Sequence, residues 1–193
     1  MGPNQLFGPT AAVTCDGMPR LAHATLQRLA EYGGFFLHDP DVLGEDPDDA
    51  TALAASRTTM IAATTHRAYL QTAQRAVSVH ITLEVWDTEP TAAADWEERH
   101  EVTLTCPTGR LLIENIGDGP IPLDPHGQRE LTLPPGTTRI NLRAYASGSD
   151  TGDEVERITM QHSTASFDEF RAHLRALDGR ERYLLQAWPI EVH

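Results

Sequence analysis

The chain has 193 residues, of which 28 are acidic and 15 basic, giving a formal net charge of −13 at pH 7. Every basic residue is arginine. This balance opposes direct binding to nucleic acid, whose affinity comes mainly from neutralising phosphates, and opposes anionic membrane surfaces for the same reason.

Residues 1–20 hold three prolines and three glycines and are expected to be irregular. They carry neither the positive n-region nor the apolar core of a signal peptide, and no apolar run in the chain reaches the roughly 20 residues that span a bilayer. Residues 21–193 are expected to form one domain. A chain of this size buries roughly 70% of its unfolded surface, enough for a core without disulfides or metal. Cys15 and Cys106 are the only thiols and make no disulfide framework, so a reduced, cytoplasmic protein is the expectation.

Residues 32–38 read as a strand. An acidic loop follows over 39–57, with six carboxylates and two prolines in residues 39–49 and no positive charge among them. Self-repulsion and desolvation oppose burying such a stretch. Residues 50–56 suit a short helix at its end. Residues 68–72 read as another strand. Val77, Val79, Ile81, Leu83 and Val85 then alternate with polar residues, which is the period of a half-buried strand.

Residues 101–106 repeat that alternation and end at Pro107-Thr108-Gly109. Residues 110–115 are therefore expected to return as the second strand of a hairpin. Residues 130–133 meet the turn Pro134-Pro135-Gly136, and Ile140, Leu142, Ala144 and Ala146 alternate beyond it. The acids of residues 150–154 read as a solvated turn. One C-terminal helix is expected near 166–177. Ser166 and Glu169 form its capping box, and Phe167, Phe170, Leu174 and Leu177 lie on one face. Residues 183–189 return as a final strand. Short strands at close intervals, joined by Gly/Pro turns, predict a mainly β fold: an antiparallel, two-sheet β-sandwich of jelly-roll type with that single helix.

No phosphate-binding glycine motif is present. The serines of residues 147–149 lack the glycine pattern of a nucleophile elbow. The nine histidines show no HxH, HExxH or paired-cysteine spacing, so no metal and no cofactor is expected. An active centre would require His38, His66 or His126 to converge with a carboxylate in a pocket. Trp86, Trp96 and Trp188 would suit a sugar-stacking platform if they were exposed together on one face.

The uneven spread of acid is the stronger signal. Besides the six carboxylates of 39–49, residues 84–101 hold seven, with Arg99 as the only counter-charge. Such stretches suit an acidic surface that steers and docks a basic protein partner.

The order of segments also resembles a known family. The residues that carry the likeness are Tyr32-Gly33-Gly34-Phe35-Phe36-Leu37-His38-Asp39 before an acidic insert, then Ala68-Tyr69-Leu70-Gln71-Thr72, the long strand from Val77, and the LPPG turn at 133–136. Over residues 24–146 this is similar to the ComJ-type competence proteins, small acidic β-sandwiches that inhibit a partner nuclease. The extra N-terminal segment and the helix–strand unit from about residue 155 depart from that pattern. The resemblance implies a fold and a protein partner, and it transfers no catalytic residue. Charge alone selects the contact groups: Asp39, Asp41, Glu45, Asp46, Asp48 and Asp49 in the first stretch, with Asp87, Glu89, Asp95, Glu97 and Glu98 in the second. Trp86 or Trp96 would anchor the contact. The expected function is a non-enzymatic inhibitor or immunity protein; the alternatives are a carbohydrate- or small-ligand-binding sandwich and an enzyme of unrecognised type.

Overall fold

The computed structural model describes residues 19–44, 46–162 and 166–190. Cys15 and Glu45, and most of the N-terminal segment expected to be irregular, lie outside the described residues. In chain order the strands are β1 (Arg20–Leu29), β2 (Gly34–His38), β3 (Ile61–Ala63), β4 (Arg67–Gln71), β5 (Ser78–Trp86), β6 (Glu98–Thr105), β7 (Arg110–Asn115), β8 (Gly119–Pro120), β9 (Glu130–Thr132), β10 (Arg139–Ser147) and β11 (Arg182–Pro189). The helices are α1 (Asp49–Thr59), α2 (Thr151–Gln161) and α3 (Phe167–Arg175).

The fold is mainly β, in two open sheets. One runs β1-β5-β11-β10-β6; the other runs β3-β4-β2-β7-β8, with β9 paired to β7. The alternation in β5 points Val79, Ile81, Leu83 and Val85 inward, and all four are fully or almost fully buried. They join Phe35, Leu37, Leu70, Leu111 and Ile113 of the other sheet and Leu142 and Leu185 of their own in one continuous apolar cluster. A Leu→Ala change in a core of this kind costs about 2–5 kcal/mol.

The sequence expectation needs correction at three places. First, there are three helices among the described residues rather than the single one of the fold expectation; the short helix suited to residues 50–56 is present as α1. The acids of residues 150–154 begin α2, where Asp153 and Glu154 sit in the first turn and complement its positive end. Val155 and Ile158 bury the apolar side of α2 against Val77, Phe170, Leu174 and Leu177. The capping box of α3 forms as expected, with Ser166 and Glu169 each bonding the other's backbone. Second, β6 and β7 do not form a hairpin. β6 pairs with β10 and β7 with β2, so the turn at 107–109 carries the chain from one sheet to the other. Third, the sheets are not wholly antiparallel, because β11 lies between β10 and β5 and runs parallel to β5.

β1 was not foreseen as a strand. Its inward positions in the middle of the strand are Ala22, Ala24 and Leu26, and small residues give a weak alternating signal.

Candidate functional site

The loop after β2 is held in place by charge pairs that reach far along the chain. Asp39 is fully buried. One oxygen accepts from the backbone N–H of Thr108 at 2.7 Å; the other accepts from the Thr108 hydroxyl at 2.7 Å and from the Asp41 N–H at 3.0 Å. Asp39 therefore fixes the loop to the 107–109 turn and offers no carboxylate to a partner, contrary to the sequence expectation. The same carboxylate lies near Cys106, whose thiol is pushed up to about 12, mainly by burial and then by Asp39. That thiol is inert at neutral pH.

Asp41 is exposed and pairs with Arg110, which also reaches Glu130 at 3.0 Å. Asp49 pairs with Arg67 at 2.6 Å and accepts from the Asp46 N–H at 3.0 Å. Asp46 is half-buried and accepts from the Asp48 N–H at 3.0 Å. Among the described residues, neither Asp46 nor Asp48 has a cationic partner.

Beneath this loop, the outward face of the six-stranded sheet carries a titratable cluster. Register puts His38 opposite Arg67 on one side and Leu112 on the other; Phe36 lies opposite Tyr69 and Glu114. The Arg67 guanidinium sits 5.1 Å over the Phe36 ring, and the Phe36 ring lies 5.2 Å from that of His38. Burial pushes the Tyr69 hydroxyl up to about 12. A cavity of about 330 Å³ opens between this face and the loop, with His38, His66, Arg67 and Asp46 among its walls. Two of the three histidines named from sequence thus share a pocket with a carboxylate, as an active centre would require, but among the described residues neither ring hydrogen-bonds one; His126 is not among the pocket's walls and sits in the exposed turn closed by Asp124. Among the described residues, no group of three His, Cys, Asp or Glu is arranged to hold a metal ion.

The second acidic stretch is placed differently. Residues 87–97 cross the outward face of the five-stranded sheet. There Arg143, only 1% exposed, donates to Glu89, to Glu101 at 3.1 Å and to the Pro90 carbonyl at 3.0 Å. Glu97 accepts from the N–H groups of Gly148 and Ser149 and from the Ser149 hydroxyl. Those bonds, Gly148 first, hold its carboxyl below the ordinary value. Asp87, Asp95 and Glu98 remain exposed.

Trp86, expected as an anchor, is 6% exposed and donates to Glu84 at 3.0 Å, so it is a buried structural residue. Trp188 is 3% exposed and carries Arg143 over its ring at 4.5 Å. Trp96 is half-buried against Tyr145 at 5.9 Å, with Arg182 at 5.8 Å. The three tryptophans form no exposed platform for a sugar.

The two acidic stretches also do not share one face. The first adjoins the C-terminal end of β6 through Thr108, and the second leads into its N-terminal end at Glu98. β6, eight residues long and so about 25 Å, runs between the two attachment points. Sequence reasoning missed Arg67 and Arg110, the residues that shape the first loop. Nothing local marks them, since they lie 18 and 69 positions from the carboxylates they hold.

No protein-family model matches the chain, and no curated protein matches it in sequence. Among solved structures, the fold is similar to that of ComJ from Bacillus subtilis, described as an inhibitor of the DNA-degrading activity of NucA. The TM-score is 0.52 at 12% identity, over 90% of this chain and 98% of that one. It is also similar to the protein described as crocagin biosynthetic gene J, with a TM-score of 0.50 at 13% identity over 88% and 98% of the two chains. At such identity the likeness is one of fold. No helix among the described residues is long and apolar enough to cross a membrane.

Proposed function

We propose that this chain is a non-enzymatic β-sandwich of the cytoplasm that binds a basic protein through the acidic loop after β2, acting as an inhibitor or immunity protein of a nuclease. The observation that carries the reading is the state of that loop. Asp39, Arg110 and Arg67 pin it to the sheet, while Asp46 and Asp48 have no cation opposite them among the described residues. A pinned loop loses little entropy on docking, and unpaired carboxylates attract a phosphate-binding groove. The likeness in fold to ComJ, which is described as a nuclease inhibitor, supports the same reading. In this scheme Asp41 and Asp49 shape the contact, Asp46 and Asp48 carry it, and Asp87, Asp95 and Glu98 add long-range steering from the other sheet.

The test combines capture and activity. The purified chain is used as bait in native lysate at low and high salt, and DNA degradation by the captured protein is assayed with and without added bait. Capture of a basic protein that weakens as salt rises, and whose nuclease activity falls when bait is added, is the expected result. The double variant Asp46→Asn, Asp48→Asn should keep the parent's melting temperature and lose about tenfold in affinity at low salt, chiefly through the association rate. Capture that ionic strength leaves unchanged would overturn the reading.

A further inference from the structure

The cavity under the acidic loop has a hydrogen-bonding inventory that selects its occupant. His38 is 8% exposed, and neither ring nitrogen has a hydrogen-bond partner among the described residues. Its Nε2 lies 3.3 Å from Glu114 Oε1, outside good hydrogen-bond alignment. A carboxylate only accepts, so the proton of the neutral ring belongs on Nε2, which leaves Nδ1 as a buried acceptor with nothing to accept. His66 Nδ1 lies 3.3 Å from the Thr105 carbonyl, which also only accepts, so its Nε2 is an acceptor too.

Against these stand two leftover donors, Arg67 Nε and the His38 Nε2–H, and the latter already faces Glu114. The charge of Arg67 is already met by Asp49 at 2.6 Å. An anion entering here would face lone pairs and the carboxylate of Asp46. An apolar group would leave His38 as unsatisfied as before. A cation bearing several N–H donors satisfies the acceptors and meets the surrounding negative charge. Val42, Leu43 and Pro47 add apolar wall, which suits an aliphatic stem behind such a head.

We propose that this cavity receives an arginine side chain of the protein partner, its guanidinium donating to His38 and His66 beneath the acidic loop. The proposal rests on the acidic-loop reading above and names the group the partner inserts. Guanidinium fits better than ammonium because it is planar, weakly hydrated and able to lie against an imidazole ring while donating along its edge.

The probe is N-acetyl-arginine-methylamide, titrated into the full chain while the imidazole resonances of His38 and His66 are followed by NMR. Saturable shifts of both rings are expected in the millimolar range. The citrulline analogue, of the same shape but uncharged, should bind about tenfold more weakly or worse, and inorganic phosphate should leave the rings unmoved. His38→Phe keeps the aromatic volume and Asp46→Asn keeps the loop's shape; each should weaken the arginine probe by about tenfold. Asp46→Asn carries the test if the first variant fails to fold. Phosphate binding in place of arginine overturns the proposal, as does a probe that binds both variants like the parent. The two readings fail separately. A basic protein captured equally by the parent and by folded His38→Phe rejects the arginine pocket alone. Arginine binding without capture of any basic protein rejects the acidic-loop function.

Discussion

On the outward face of the five-stranded sheet, Glu84 accepts from Arg20 at 2.6 Å and from Trp86 and Gln186 at 3.0 Å each, and Arg143 finds two carboxylates and a carbonyl. Among the described residues, on the outward face of the six-stranded sheet, His38, Arg67 and Asp49 leave four buried polar atoms without hydrogen bonds. The first face has one such atom, Gln186 Oε1. Both faces bury polar and charged groups against aromatic rings, so burial of charge does not by itself mark a site. Satisfaction separates them. A saturated network behaves as part of the scaffold, whereas one with unmet acceptors beside a cavity can take a group that arrives later.

The sharpest way to break this comparison is to remove one member from each face. Arg143→Ala should cost about 3 kcal/mol in urea denaturation, because it empties a packed position and strands the Pro90 carbonyl. His38→Phe should stay within about 1 kcal/mol of the parent, since it removes a group that was not satisfied. Equal losses in the two variants would show that His38 is as structural as Arg143.

A smaller effect is expected at the loop's anchor. Asp39→Ala frees the Thr108 N–H and hydroxyl and the Asp41 N–H, for a loss of about 2 kcal/mol. It should also raise amide exchange through residues 40–49, which hydrogen-exchange mass spectrometry would register. Unchanged exchange would mean that Arg67 and Arg110 hold the loop without it.

The smallest effect concerns Glu97, whose carboxyl is held below the ordinary 4.5 by Gly148 and Ser149. A group with a depressed folded pKa stabilises at pH values above its unfolded pKa and loses that contribution as pH falls through the folded value. Glu97→Gln should therefore melt slightly below the parent at neutral pH, and the gap should close as the solution is acidified below 4.5. A gap independent of pH would assign the effect to shape rather than charge.

Much of the scaffold can be read from the chain, because its signals are local. The alternation from Val77 to Val85 specifies one face of β5, and Ser166 with Glu169 sets the start of α3. What is not local is not legible. The turn at Pro107-Thr108-Gly109 looks like a hairpin, and only the pairing of β6 with β10 and of β7 with β2 shows that it changes sheets. At the candidate site, the acidity of residues 39–49 is plain, yet its division into a buried pin, two paired acids and two unpaired ones depends on Thr108, Arg110 and Arg67. The seclusion of Trp86 has the same origin, a partner strand rather than a neighbour in sequence.

The placing of β11 between β5 and β10 has a bearing on how the molecule is made. During translation the ribosome releases β1, β5, β6 and β10 well before the strand that belongs at their centre, so the nascent sheet waits as two separate halves with a vacant slot. Each half then presents unpaired backbone along that slot, a template for mispairing with other nascent chains. The interval between the emergence of β10 and the seating of β11 is accordingly the one in which those edges are open to other chains.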